Sequence, residues 1–148
     1  MAAVGPETRG GILTIDLAAL TANYRTLQTT VEPAQVAAVV KADAYGLGVA
    51  HVAPALVKAG CGSFFVTTIE EGVALRRLVG SAEIHVFNGA PPGTELAFAE
   101  HKLTPVLNSL AEIHAWNAAT SGHRERFGSL PTDLQVDTAP ASPTCPGT

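Results

Sequence analysis

Apolar positions along this chain switch repeatedly between two periods. Residues 36–40 (VAAVV) form a run without polar interruption, which predicts a strand buried on both faces, the pattern of a parallel sheet. Residues 63–67, 83–87, 103–107 and 133–137 read as four further strands, with Pro105 weakening the third of them. Helical spacing falls between them, at residues 51–59, 69–78, 94–100 and 109–119. Gly60 and Gly80 stand just past the first two helices, and Ser109 is placed to cap the last. Upstream, residues 12–15 alternate as a short strand and Asp16 can cap a helix. In that helix Leu17, Leu20, Tyr24 and Leu27 share one face, and it ends before Pro33. Strands alternating with helices predict an α/β fold with a parallel sheet and right-handed crossovers.

Composition narrows the class. With 148 residues, 47% of them hydrophobic and 15% charged, the chain has material for one packed domain. A net charge of -4 without a basic stripe argues against nucleic acid as a partner. No apolar stretch nears the ~18 residues of a membrane-spanning helix, and residues 1–10 lack the apolar core of a signal peptide. The expectation is a cytoplasmic protein, with no membrane partner and a flexible lead over residues 1–10. Cys61 and Cys145 make no CxxC or zinc spacing, and Cys61, between Gly60 and Gly62, reads as a small buried residue. The five histidines scatter over separate elements, so no metal site is expected; His85 reads as a satisfied structural histidine. Glu70, Glu71, Arg76 and Arg77 follow the dipole of their helix and need no catalytic role. Phe64, Phe65 and Trp116 read as core.

The chemistry gathers where the first parallel strand ends. Lys41 directly follows the apolar run, and Asp43, Tyr45, Gly46 and Gly48 follow within seven residues. A charge at the carboxyl end of a parallel strand lies on the face where barrel and doubly wound enzymes place their sites. Apolar surroundings disfavour the charged form of a lysine and so favour a nucleophilic amine. A lysine paired with Asp43 at the sheet mouth is the alternative. Tyr45 is either a ligand contact or a loop aromatic packed on the next helix. His51 occupies the third position of a dinucleotide fingerprint, which excludes that motif.

Residues 39–48 (VVKADAYGLG) resemble the cofactor-attachment motif of alanine racemases. Residues 15–24 (IDLAALTANY) resemble the opening of that family, and residues 134–138 (LQVDT) the start of its later Asp-Thr-Gly-Met motif. The resemblance implies an incomplete TIM-type (β/α) barrel over residues 11–138, with about five of the eight parallel strands, preceded by a strand and a helix. It implies pyridoxal 5'-phosphate as cofactor and interconversion of L-alanine and D-alanine as the reaction, with Lys41 forming the Schiff base and serving as base on one face. It also implies that Tyr45 contacts the cofactor phosphate, that the second acid/base is a tyrosine of a carboxyl-terminal domain, and that the intact enzyme is a homodimer.

The pattern breaks after Thr138. Residues 139–148 (APASPTCPGT) carry proline at every third position and read as a disordered tail, consistent with a lost reading frame that sequencing past codon 138 would test. Gln135 stands where many members carry a lysine that becomes carbamylated, which a glutamine cannot do. A non-catalytic fragment with little cofactor binding is the alternative to an active enzyme, and a one-domain cofactor carrier of the same barrel type is a third reading.

Overall fold

The computed structural model of the chain describes residues 11–128 and 130–136. The expected lead (1–10), the Pro-rich tail (139–148) and the end of the fifth strand at Asp137 and Thr138 lie outside the described residues. Helix α1 (Leu17–Val31) starts as its sequence predicts: the Asp16 carboxylate accepts from Ala18 N at 2.8 Å and Ala19 N at 3.0 Å, satisfying two otherwise orphaned donors. Tyr24 is buried, and its hydroxyl donates to Val36 O at 2.9 Å, tying the helix to the approach of the first strand. Leu27, assigned to the same face, is 54% exposed, so the packed stripe stops near Tyr24.

The strand expected over residues 12–15 does not form. A strand is held by its ladder, and among the described residues no neighbour pairs with this segment, which leaves Ile12 88% exposed.

Five strands make one all-parallel sheet in chain order: β1 (Ala38–Val39), β2 (Ser63–Val66), β3 (Glu83–Val86), β4 (Thr104–Leu107) and β5 (Asp133–Leu134). The register sets Ala38 beside Phe64, Phe65 beside His85, Val86 beside Pro105 and Leu107 beside Leu134. Sequential order without a switch point is the order of a (β/α) barrel wall and differs from that of a doubly wound sheet. Helices α3 (Val49–Lys58), α4 (Ile69–Val79), α5 (Glu95–His101) and α6 (Leu110–Thr120) lie side by side in the same sequence.

Period-2 alternation in β2 and β3 separates the two faces of the sheet. Phe64, Val66, Ile84 and Val86 are fully buried toward the helices, while Ser63, Phe65, Glu83 and His85 stand on the other, partly open face. The apolar run at 36–40 suggested burial on both sides of β1. Instead Val40 is buried and Val39 is 40% exposed, because among the described residues nothing covers the inner face. The same correction applies to Phe65. Behind the sheet, Phe98 and Trp116 meet edge-to-face at 5.8 Å between centroids, and Gly72 lets α4 approach so closely that a Cβ there would lie 3.1 Å from Leu103. Each large apolar side chain buried in this layer contributes roughly 1.5–3 kcal/mol. Cys61 is buried as expected, with Sγ 3.2 Å from Ser63 O.

The polar segment before β5 holds a 3-10 turn (Ser121–His123) and a short helix α7 (Arg124–Phe127). At the amino end of the sheet, Arg76 does more than complement a dipole. Its guanidinium donates to Gly80 O, Ala82 O, His101 O and Lys102 O at 2.5–2.9 Å, fastening the turn before β3 to the turn before β4.

Candidate active site

Lys41 opens a single turn, α2 (Lys41–Tyr45), at the carboxyl end of β1. The turn winds left-handed. Ala42, Asp43, Ala44 and Tyr45 have φ of 50–55°, and Ala44 N and Gly46 N still bond four residues back, to Val40 O and Ala42 O, at 3.0 Å. For residues with a Cβ this hand costs about 1–2 kcal/mol each, so surrounding contacts must hold the turn. Three do so. Ala44 is buried; the Asp43 carboxylate accepts from Val49 N at 2.7 Å at the start of α3; and the Glu71 carboxylate accepts from Ala42 N at 2.8 Å. Gly46 at φ 80° and Gly48 at φ 88° then release the chain into α3, a backbone conformation open to glycine.

Asp43 is therefore engaged with backbone, and among the described residues no carboxylate pairs with the Lys41 ammonium. Lys41 Nζ lies 5.9 Å from the centroid of the Phe87 ring, just past β3, and 6.0 Å from that of Tyr45. The amine thus sits half-buried at the mouth of the sheet between two aromatic faces. Tyr45 is 63% exposed, with its ring centroid 6.0 Å from Lys41 Nζ.

Below the mouth runs a trough of about 450 Å³ on the inner face, lined by Ala37, Phe65, His85, Phe87, Asp133 and Gln135 among others. Phe65 stacks on Phe87 at 5.1 Å and on His85 at 4.5 Å. His85 Nδ1 lies 2.5 Å from Asp133 Oδ2, so the histidine is satisfied, and it joins β3 to β5 across the trough. The aromatic column and this pair were missed as a unit, though their alternation along β2 and β3 is the available signal. Gln135 is exposed at the end of β5, with its N–H on Leu107 O at 2.9 Å. A larger cavity, about 820 Å³, lies at the opposite end around Arg76, His101 and Lys102, away from Lys41. Among the described residues no three His, Cys, Asp or Glu side chains gather as a metal site.

This arrangement, an unpaired amine on a strained turn at the carboxyl end of a parallel sheet, has relatives. The family model described as alanine racemase, N-terminal domain, matches residues 15–139. An alanine racemase of Brucella ovis is 52% identical over 131 residues, 87% of this chain and 32% of that protein. The crystal structure of alanine racemase from Bartonella henselae with covalently bound pyridoxal phosphate matches with a TM-score of 0.77 at 42% identity, over 84% of this chain and 34% of that one. Alanine racemase from Streptomyces coelicolor matches with a TM-score of 0.74 at 32% identity, over 90% and 35%. The chain spans about a third of the length of these relatives. It belongs to the alanine racemase family and carries the five-stranded part of that family's amino-terminal barrel domain.

Proposed function

We propose that this chain is the cofactor-anchoring segment of an alanine racemase, in which Lys41 Nζ holds pyridoxal 5'-phosphate covalently and Tyr45 contacts its phosphate. The observation that carries the proposal is the placement of Nζ: at the carboxyl end of β1, without a carboxylate partner among the described residues, between the rings of Phe87 and Tyr45. The groups present suit the cofactor. A primary amine bonds an aldehyde, a phenol at the mouth reaches a phosphate oxygen, and Phe87 and Phe65 offer apolar walls to a flat ring. Bound there, the cofactor serves as an electron sink for charge left at the substrate α carbon. Lys41 Nζ, as the free amine, removes or returns the α proton on its own face.

Racemisation needs a second proton-handling group on the opposite face. By the family resemblance we assign that second group to a tyrosine of a carboxyl-terminal domain supplied across a homodimer, and the remaining phosphate donors to later strands of the barrel. The substrate is alanine, and the setting is cytoplasmic; no helix of the described residues is long and apolar enough to cross a membrane. A second reading, a non-catalytic fragment, is favoured by the outer edges of β1 and β5 and the trough, which no element among the described residues covers. The readings part at the cofactor: the anchor predicts adduct formation at Lys41, the non-catalytic fragment predicts little, and neither predicts turnover by the isolated chain. Titrating the chain with pyridoxal phosphate should raise the visible band of a lysine adduct, absent in Lys41→Ala and three- to tenfold weaker in affinity in Tyr45→Phe, the worth of about one hydrogen bond. An unchanged band in Lys41→Ala contradicts the anchor, and D-alanine formed from L-alanine by the chain alone contradicts the one-face assignment.

A further inference from the structure

Glu71 was explained from sequence by its place in the first turn of α4, and its local contacts match that role. Its Oε2 accepts from Thr67 N at 2.7 Å and Thr68 N at 3.4 Å, and its N–H donates to Thr68 Oγ1 at 3.4 Å, a reciprocal cap. That cap occupies one carboxylate oxygen. The other, Oε1, leaves the helix and accepts from Ala42 N at 2.8 Å, a partner 29 residues away on a different loop. Glu112 at the start of α6 offers the comparison. Its Oε2 accepts from Asn108 N at 2.9 Å and its N–H donates to Ser109 Oγ at 3.2 Å, but its Oε1 returns to Ser109 Oγ at 3.3 Å. Capping alone therefore does not send the second oxygen to a neighbouring loop.

The bonded N–H belongs to the peptide that joins Lys41 to Ala42, and the backbone changes hand at that point: Ala42 is the first residue of the chain segment with positive φ, at 50°. The residue before the lysine is held as well, because Val40 N donates to Phe65 O at 2.9 Å. Both restraints on Lys41 thus come from one strand–helix unit, β2 with α4. A carboxylate accepting three backbone N–H groups, from Ala42, Thr67 and Thr68, forms charge-assisted bonds, the stronger kind.

We infer that Glu71 is a positioning residue for Lys41: it clamps the peptide after the lysine, holds the left-handed turn against its strain, and so fixes the direction in which Nζ leaves the sheet. The inference rests on Lys41 as the cofactor anchor proposed above, and Glu71 itself does not touch the amine. Three variants of the chain test it. Glu71→Ala deletes the clamp; Glu71→Gln keeps the shape with one oxygen fewer and guards against loss of the fold. Thr68→Ala weakens the same helix cap but leaves the bond to Ala42.

Amide exchange of Ala42, read by NMR without cofactor, should quicken at least tenfold in Glu71→Ala and stay within twofold of wild type in Thr68→Ala. With pyridoxal phosphate and borohydride, the yield of adduct at Lys41 should fall at least threefold in Glu71→Ala, take an intermediate value in Glu71→Gln, and stay at the wild-type level in Thr68→Ala. Unchanged Ala42 exchange in Glu71→Ala, or an equal loss of adduct in Thr68→Ala, overturns the positioning role. A wild-type chain that gives no adduct, while Ala42 exchange still depends on Glu71, instead overturns the cofactor reading and leaves the clamp in place.

Discussion

Tyr24 shows how one side chain can set both the packing of a helix and its response to pH. Its hydroxyl is buried on Val36 O, and burial, with the Cys61 thiol beside it, pushes its pKa up to about 12. A group whose pKa is higher folded than unfolded contributes stability that is complete below its ordinary value and is lost as pH rises through the folded one. Chemical denaturation should therefore show the chain losing stability between about pH 10 and pH 12. Tyr24→Phe should cost about 1 kcal/mol at neutral pH, the worth of one hydrogen bond, and flatten that alkaline limb. An alkaline limb of undiminished slope in Tyr24→Phe would assign it to another group. Lys41 and Tyr45 belong to the same scale: their neighbourhood at the end of the apolar run was read from order along the chain, while their roles come from the family resemblance and stand as the proposal above. Glu71 was legible only in part. The Thr68-x-x-Glu71 pattern announces a cap, but nothing local to it says where the second oxygen goes.

Among the elements, α2 was the least readable. Ala42, Asp43, Ala44 and Tyr45 carry no shared preference for positive φ, and the left-handed turn exists because Glu71, Asp43 and the burial of Ala44 hold it. The strand predicted over residues 12–15 failed for the converse reason: local alternation was present and the ladder partner was not. Helices α1 and α6 were readable from their caps, since Asp16 and Ser109 each place a side-chain oxygen on the first free N–H groups, and α4 from its apolar spacing, with Thr68 found to cap it in the structure. Arg76 joins two βα units at the amino end. Removing it leaves four carbonyl acceptors without their donor, and Arg76→Ala should lower stability by about 2–4 kcal/mol, measured by urea denaturation, with adduct formation at Lys41 retained in the folded fraction. A loss below 0.5 kcal/mol would show that water replaces the guanidinium at no cost.

For the whole molecule, a parallel sheet was foreseeable from alternating periods and its barrel-type strand order from the family resemblance, while the openness of the inner face was not. The run at 36–40 is apolar on both sides, yet only the helix side is covered among the described residues. Val39 at 40% and Leu134 at 59% exposure sit on the two edge strands, beside backbone that no strand among the described residues pairs. Sedimentation should show the isolated chain associating as its concentration rises, and Val39→Lys with Leu134→Lys should reduce that association; a monomer at all concentrations would mean the edges are protected. The central claim concerns the position of one nitrogen. Borohydride reduction of the chain with pyridoxal phosphate, followed by peptide mapping, tests it most directly: the account predicts the reduced cofactor on Lys41 ahead of Lys58 and Lys102, and label spread evenly over the three lysines would contradict it.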